Sequence, residues 1–107
     1  MGLSVRRFPF TDEAGAEKTN LIALAGADFP GATADPTGAE LALVGHTDTV
    51  PYAAAWTAAT TLTERDGKLY GRGACDTKGF IAAALTAVEN IELASLRRPL
   101  ALVFTAD

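Results

Sequence analysis

The sequence predicts an α/β fold, a mixed β-sheet packed with helices, and three features carry that prediction. Apolar runs at residues 20–25, 41–45 and 100–104 have the length and composition of buried strands. A helical pattern fills residues 77–93, with Ile81, Leu85 and Val88 at one-face spacing. That helix stands between the last two apolar runs, where a crossover connection belongs.

Taken in order, residues 4–8 read as a short strand and residues 12–18, polar around Gly15, as a turn. Residues 20–25 are the next strand. Residues 26–38 hold Pro30, Gly31, Pro36 and Gly38, the composition of a surface loop. The run at 41–45 contains almost no polar residue and suits a strand buried on both faces. It delivers His46-Thr47-Asp48-Thr49-Val50-Pro51, where Pro51 holds Val50 extended and stops regular pairing. Residues 52–59, rich in alanine around Trp56, form a helical turn or loop. Residues 61–65 and 68–71 flank Asp66-Gly67, a strong hairpin signal. Gly71-Arg72-Gly73 then leads to the helix, with Asp76 or Thr77 as the expected N-cap. The small and apolar residues around most of this helix predict that it is largely covered.

Composition narrows the function. Hydrophobic residues make up 49% of the chain, too many for a disordered segment. The net charge is −4 and the nine basic residues are scattered, so nucleic acid is not an expected partner. The longest apolar stretch, around residues 80–88, is too short to span a bilayer, and the amino-terminal residues lack the pattern of a signal peptide. A single cysteine, Cys75, excludes an intrachain disulfide and fits a reducing, cytoplasmic location.

Few residues offer chemistry. His46 and Asp48 form an H-x-D pair at a strand end, and positions two apart on extended backbone share a side. The Asp48 carboxylate can then accept from one ring nitrogen and leave the other for a metal. The bland alternative is a surface histidine beside a turn aspartate. Asp76 is either a helix N-cap or a metal-binding carboxylate, and the two roles are compatible. Lys78 reads as a solvated first-turn lysine. Cys75 reads as a buried small residue rather than a thiolate ligand, since one Cys and one His make a poor zinc set. Trp56 and Tyr52 read as packing. Gly71-Arg72-Gly73 lacks the lysine and hydroxyl residue of a P-loop.

Together the motifs say more than each does singly. Gly45-His46-Thr47-Asp48-Thr49-Val50-Pro51, Trp56, Asp66-Gly67-Lys68-Leu69-Tyr70-Gly71-Arg72-Gly73, Cys75-Asp76-Thr77-Lys78-Gly79 and Phe104-Thr105-Ala106-Asp107 follow in that order. This resembles the M20 family of zinc peptidases and deacylases, over roughly the whole chain from Asn20 onward. The resemblance implies two divalent metal ions, zinc or its substitute cobalt. By it His46 binds one ion, Asp76 bridges both, and Asp48 is the catalytic-site residue that orients His46. It also implies a small N-acyl amino acid as substrate and a homodimer as the intact enzyme. HTDTVP and GRGACDTKGF lean toward the members that remove the acetyl group from N-acetyl-L-ornithine in arginine synthesis. Members that act on succinyl-diaminopimelate or on dipeptides are the alternative, as is a non-catalytic α/β scaffold. Thr77 and the stretch Thr57-Ala58-Ala59-Thr60 depart from the commoner family pattern. The general base and further ligands of the family have no counterpart here. Residues 1–107 are therefore expected to be a fragment of the catalytic domain, without its dimerisation or lid domain and inactive alone.

Overall fold

A computed structural model describes residues 2–26 and 39–106. It contains a four-stranded mixed sheet, one α-helix and a separate hairpin. The strands are β1 (Leu3–Thr11), β2 (Glu17–Ala25), β3 (Leu41–His46) and, after the small hairpin β4 (Thr63–Arg65) and β5 (Lys68–Tyr70), β6 (Leu100–Thr105). Helix α1 (Gly79–Glu89) precedes β6. The sheet order is β1-β2-β6-β3. The β1/β2 and β2/β6 pairs are antiparallel, whereas β3 and β6 are parallel, with His46 opposite Thr105. Parallel neighbours need a crossover, and α1 lies in it. The α/β class read from the sequence is the one observed. The stretch expected to be a surface loop lies, from residue 27 to 38, outside the described residues.

The core lies between α1 and one face of the sheet. Ala23 and Ala25 of β2, Leu100 and Leu102 of β6, and Ala84 and Val88 of α1 are all buried and in one cluster. Leu3, Leu21, Leu43, Leu85 and Phe104 pack against it. The cluster takes every second residue of β2 and β6, as the pleat requires, while Leu24 and Ala101 between them are also buried. Gly45 lets the helix settle close to β3: a Cβ there would stand 3.0 Å from Ile81 and 3.3 Å from Phe80.

Several sequence expectations are corrected. β1 is longer than the expected residues 4–8 and runs through Pro9. Among the described strands β1 is at the sheet edge, where half the backbone groups face away from any partner and proline is tolerated. β3 is not buried on both faces: Leu41 is 58% exposed and Val44 57%. It too is an edge strand among the described residues, and α1 covers one face. Nor is α1 largely covered, since Ala82, Ala83, Thr86 and Ala87 are exposed and only Ala84 and Val88 are buried. The hairpin forms where Asp66-Gly67 placed it, with φ of 52° and 69° at those residues, although each strand has only three residues. Among the described residues, no helix is long and apolar enough to cross a membrane.

Candidate metal centre

The carboxyl ends of parallel strands are where α/β proteins gather ligand-binding residues. β3 ends on His46 at that edge. The Thr47 amide and hydroxyl both donate to the Thr105 carbonyl, at 2.7 and 3.0 Å, tying the chain after His46 to the end of β6. Asp76 arrives from the other side of the crossover. It does not cap a helix, as the sequence suggested. α1 begins three residues later, at Gly79, and has no side-chain cap. Residues Ala74–Lys78 form an irregular turn in which Asp76 is extended, at φ −123° and ψ 97°. That backbone carries the carboxylate away from the helix and toward His46.

The two side chains, thirty positions apart in the chain, meet with His46 Nε2 3.1 Å from Asp76 Oδ1. His46 Nδ1 lies 3.1 Å from the Asp48 backbone carbonyl and 3.3 Å from the Asp48 carboxylate. The hydrogen bond is made to the carbonyl, where the sequence reading had chosen the carboxylate. β3 has ended by Asp48, so the strand alternation that aligned the two side chains no longer applies.

A carbonyl oxygen and a carboxylate oxygen both accept, so a neutral ring can donate to only one of its two partners, and we take the hydrogen to sit on Nδ1, toward the Asp48 carbonyl. In the neutral imidazole, Nε2 then presents a lone pair directly to the Asp76 carboxylate, an arrangement that calls for positive charge between them. A proton can provide it: the Asp48 carbonyl first, and the Asp76 carboxylate next, hold His46 above the usual imidazole range. A cation can provide it too. Imidazole nitrogen and carboxylate oxygen are zinc donors that bond at about 2.0–2.2 Å, and two donors 3.1 Å apart can share one ion. Asp76 is 82% exposed, so the pair is open to solvent and to further ligands. Among the described residues, no set of three or more histidine, cysteine or carboxylate side chains converges. The donors fit a zinc-type ion, but two of them fall short of the three protein ligands such an ion usually takes.

Residues with no part in the expected site surround the pair, among them Thr77, an N-cap candidate, and Lys78, expected to be solvated. Arg72 donates through Nη2 to the carbonyls of Val50 and Pro51, joining the segment after His46 to the segment before Asp76. Thr77 Oγ1 donates to the His46 carbonyl at 2.9 Å, and Lys78 Nζ to the Thr47 carbonyl at 2.7 Å. Gly73, at φ 76°, makes room: a Cβ there would lie 2.8 Å from Thr49 and 2.9 Å from Lys78 Nζ. Cys75, expected to be buried, is exposed. Trp56 packs edge-on to Tyr52, with ring centres 6.3 Å apart. A cavity of about 530 Å³ borders Thr49, Arg72 and Lys78 on the side of Tyr52, Leu62 and Leu69.

A crossover α/β unit here brings a histidine at a strand end and a carboxylate in the turn before its helix together, an arrangement suited to binding a ligand. Comparison with known proteins narrows that reading. Residues 42–107 match peptidase family M20/M25/M40. Over 106 residues, 99% of this chain, the sequence is 57% identical to an acetylornithine deacetylase of Myxococcus xanthus. The chain belongs to the M20/M25/M40 peptidase family. It spans 26% of the length of that curated relative.

Proposed function

We propose that this chain supplies part of a two-metal amide-hydrolysing centre. In the intact enzyme that centre removes the acetyl group from N-acetyl-L-ornithine, giving ornithine and acetate for arginine synthesis. The observation that carries the reading is the His46–Asp76 pair, 3.1 Å apart, with the far ring nitrogen already held by Asp48. The 57% identity to an acetylornithine deacetylase supports the substrate.

His46 would hold one zinc or cobalt ion through Nε2, and Asp76, with two carboxylate oxygens, would reach both ions. Asp48 keeps Nδ1 occupied, so the ring cannot turn its other nitrogen to the metal. When bound, such an ion pair polarises the scissile carbonyl and generates hydroxide at neutral pH. The chain's own contribution is to present two donors on a strand end and a braced turn and to leave them open to solvent. A catalytic zinc ion takes about three protein ligands and an open position, so further ligands and a general base complete the site. The cytoplasmic location rests on the single cysteine, and the homodimer on the family resemblance.

The test is hydrolysis by the full gene product, freed of metal and reloaded with Zn²⁺ or Co²⁺. N-acetyl-L-ornithine, N-succinyl-diaminopimelate and a dipeptide are offered in parallel. Metal-dependent turnover of the first, lost in His46→Ala, is expected. Equal turnover by His46→Ala would sink the site reading, and preference for another substrate would reassign the specificity.

A further inference from the structure

The turn that carries Asp76 is fastened on both sides of the carboxylate to the strand end that carries His46. Thr77 Oγ1 reaches the carbonyl of His46 itself, and Lys78 Nζ reaches the carbonyl of the next residue, Thr47. The partners are thirty-one positions apart in sequence, so these bonds set distance between elements rather than local turn geometry. The Lys78 backbone amide also donates to the Gly73 carbonyl at 2.9 Å, closing the turn on itself. Among the described residues Lys78 makes no ion pair; its ammonium donates to the Thr47 carbonyl and lies over Gly73, where a Cβ would stand 2.9 Å from it. Only a residue without a Cβ at position 73 leaves that path open.

We infer that Thr77 and Lys78 are positioning residues: together they brace the Asp76 turn against the end of β3 and hold the Asp76 carboxylate at metal-sharing distance from His46. The inference rests on the metal reading of His46 and Asp76 and adds what fixes their separation. Neither side chain touches the ion or the substrate. Each acts through a backbone carbonyl rather than on a donor atom; for scale, losing the direct hydrogen-bond partner of a metal ligand typically costs about 10–100-fold in metal affinity. The turn backbone at Asp76 and Thr77 departs from helical geometry, so α1 alone does not dictate where the carboxylate points. The brace does.

The experiment measures Co²⁺ binding to the metal-free full gene product by titration and by the visible spectrum of the bound ion. The variants are Thr77→Val, Thr77→Ser, Lys78→Met, the exposed hairpin control Lys68→Met, and His46→Ala. Thr77→Val and Lys78→Met should each weaken Co²⁺ at least tenfold and alter its spectrum, while the melting temperature of the metal-free protein stays at the parent's value. Thr77→Ser, which keeps the hydroxyl, should restore both affinity and spectrum, and Lys68→Met should match the parent. If Thr77→Val and Lys78→Met match the parent while His46→Ala loses binding, the brace is overturned and the metal reading stands. If Thr77→Ser is as impaired as Thr77→Val, the hydroxyl is not the cause and the role of Thr77 falls. If His46→Ala itself binds Co²⁺ like the parent, the underlying site reading fails instead.

Discussion

Two turns of this molecule are built on opposite principles. Residues 12–16 join β1 to β2 through bonds that span two to four positions. The Asp12 carboxylate accepts from the Ala14 and Ala16 amides at 2.9 and 2.8 Å, and the Gly15 amide donates to the Asp12 carbonyl at 3.0 Å. The Ala74–Lys78 turn takes its main anchors from residues thirty and more positions away. The first turn holds its shape by itself. The second depends on β3 and β6 being assembled, so its carboxylate is in place only when the sheet is. A site built this way acquires its donor geometry from tertiary structure.

The largest test of that contrast strikes the shared sheet. Leu102 is fully buried in β6, the strand that joins β2 to β3. Leu102→Ala should cost about 2–5 kcal/mol, the usual range for a buried leucine. Denaturant unfolding reads the loss. Hydrogen exchange should show the Thr47 and Lys78 amides losing protection well before the Ala16 amide does. Equal loss at both turns would mean that the hairpin turn is no more autonomous than the site.

Gly73→Ala comes next and is confined to the second turn. A left-handed backbone costs a non-glycine residue about 1–2 kcal/mol, and φ here is 76°. The new methyl would also press on Thr49 and Lys78 Nζ. Stability should fall by about that amount, and Co²⁺ affinity should fall with it because the Lys78 brace is displaced. Unchanged Co²⁺ binding in a measurably destabilised Gly73→Ala protein would separate the turn's stability from the site.

The same contrast explains what could be read from the sequence. Strands, helix, hairpin and the 12–16 turn carry local signals: apolar runs, the 81/85/88 spacing, Asp66-Gly67 and the polar stretch around Gly15. His46 and Asp76 were legible because their residue types and motif order are distinctive. Arg72, Thr77 and Lys78 were not, because their partners are backbone carbonyls, which every residue carries and no motif marks. The N-cap assigned to Asp76 failed because a cap is read from local sequence, whereas the partner of its carboxylate, His46, lies thirty positions away. The over-buried readings of β3 and α1 came from composition, which does not say how many faces are covered.

A smaller effect is expected at Asp48. Nδ1 of His46 donates to the Asp48 carbonyl, which every residue at that position retains. Asp48→Asn should therefore lower Co²⁺ affinity by less than the about 10–100-fold typical of removing a ligand's partner. A loss within that range would return the orienting role to the carboxylate, 3.3 Å away.

The smallest and most local test is acid titration of the first turn. Asp12 is held below its ordinary value of 3.8, chiefly by the Ala16 amide and then by Lys18, whose ammonium is 3.1 Å from the second carboxylate oxygen. A carboxyl that titrates lower when folded binds its proton more weakly there than in the unfolded chain. Its contribution to stability is thus complete above about 3.8 and is lost as pH falls through the folded value. The Ala14 and Ala16 amide resonances, which report those hydrogen bonds directly, should shift together with a midpoint below 3.8. Adding salt should raise that midpoint slightly, because the Lys18 contribution is screened and the amide contributions are not. Asp12→Asn should abolish the titration while keeping an oxygen for both amides, so the turn itself should persist. Were the midpoint at or above 3.8, or were the turn to open in Asp12→Asn, the first turn would owe its shape to the surrounding sheet, and the distinction between the two turns would collapse.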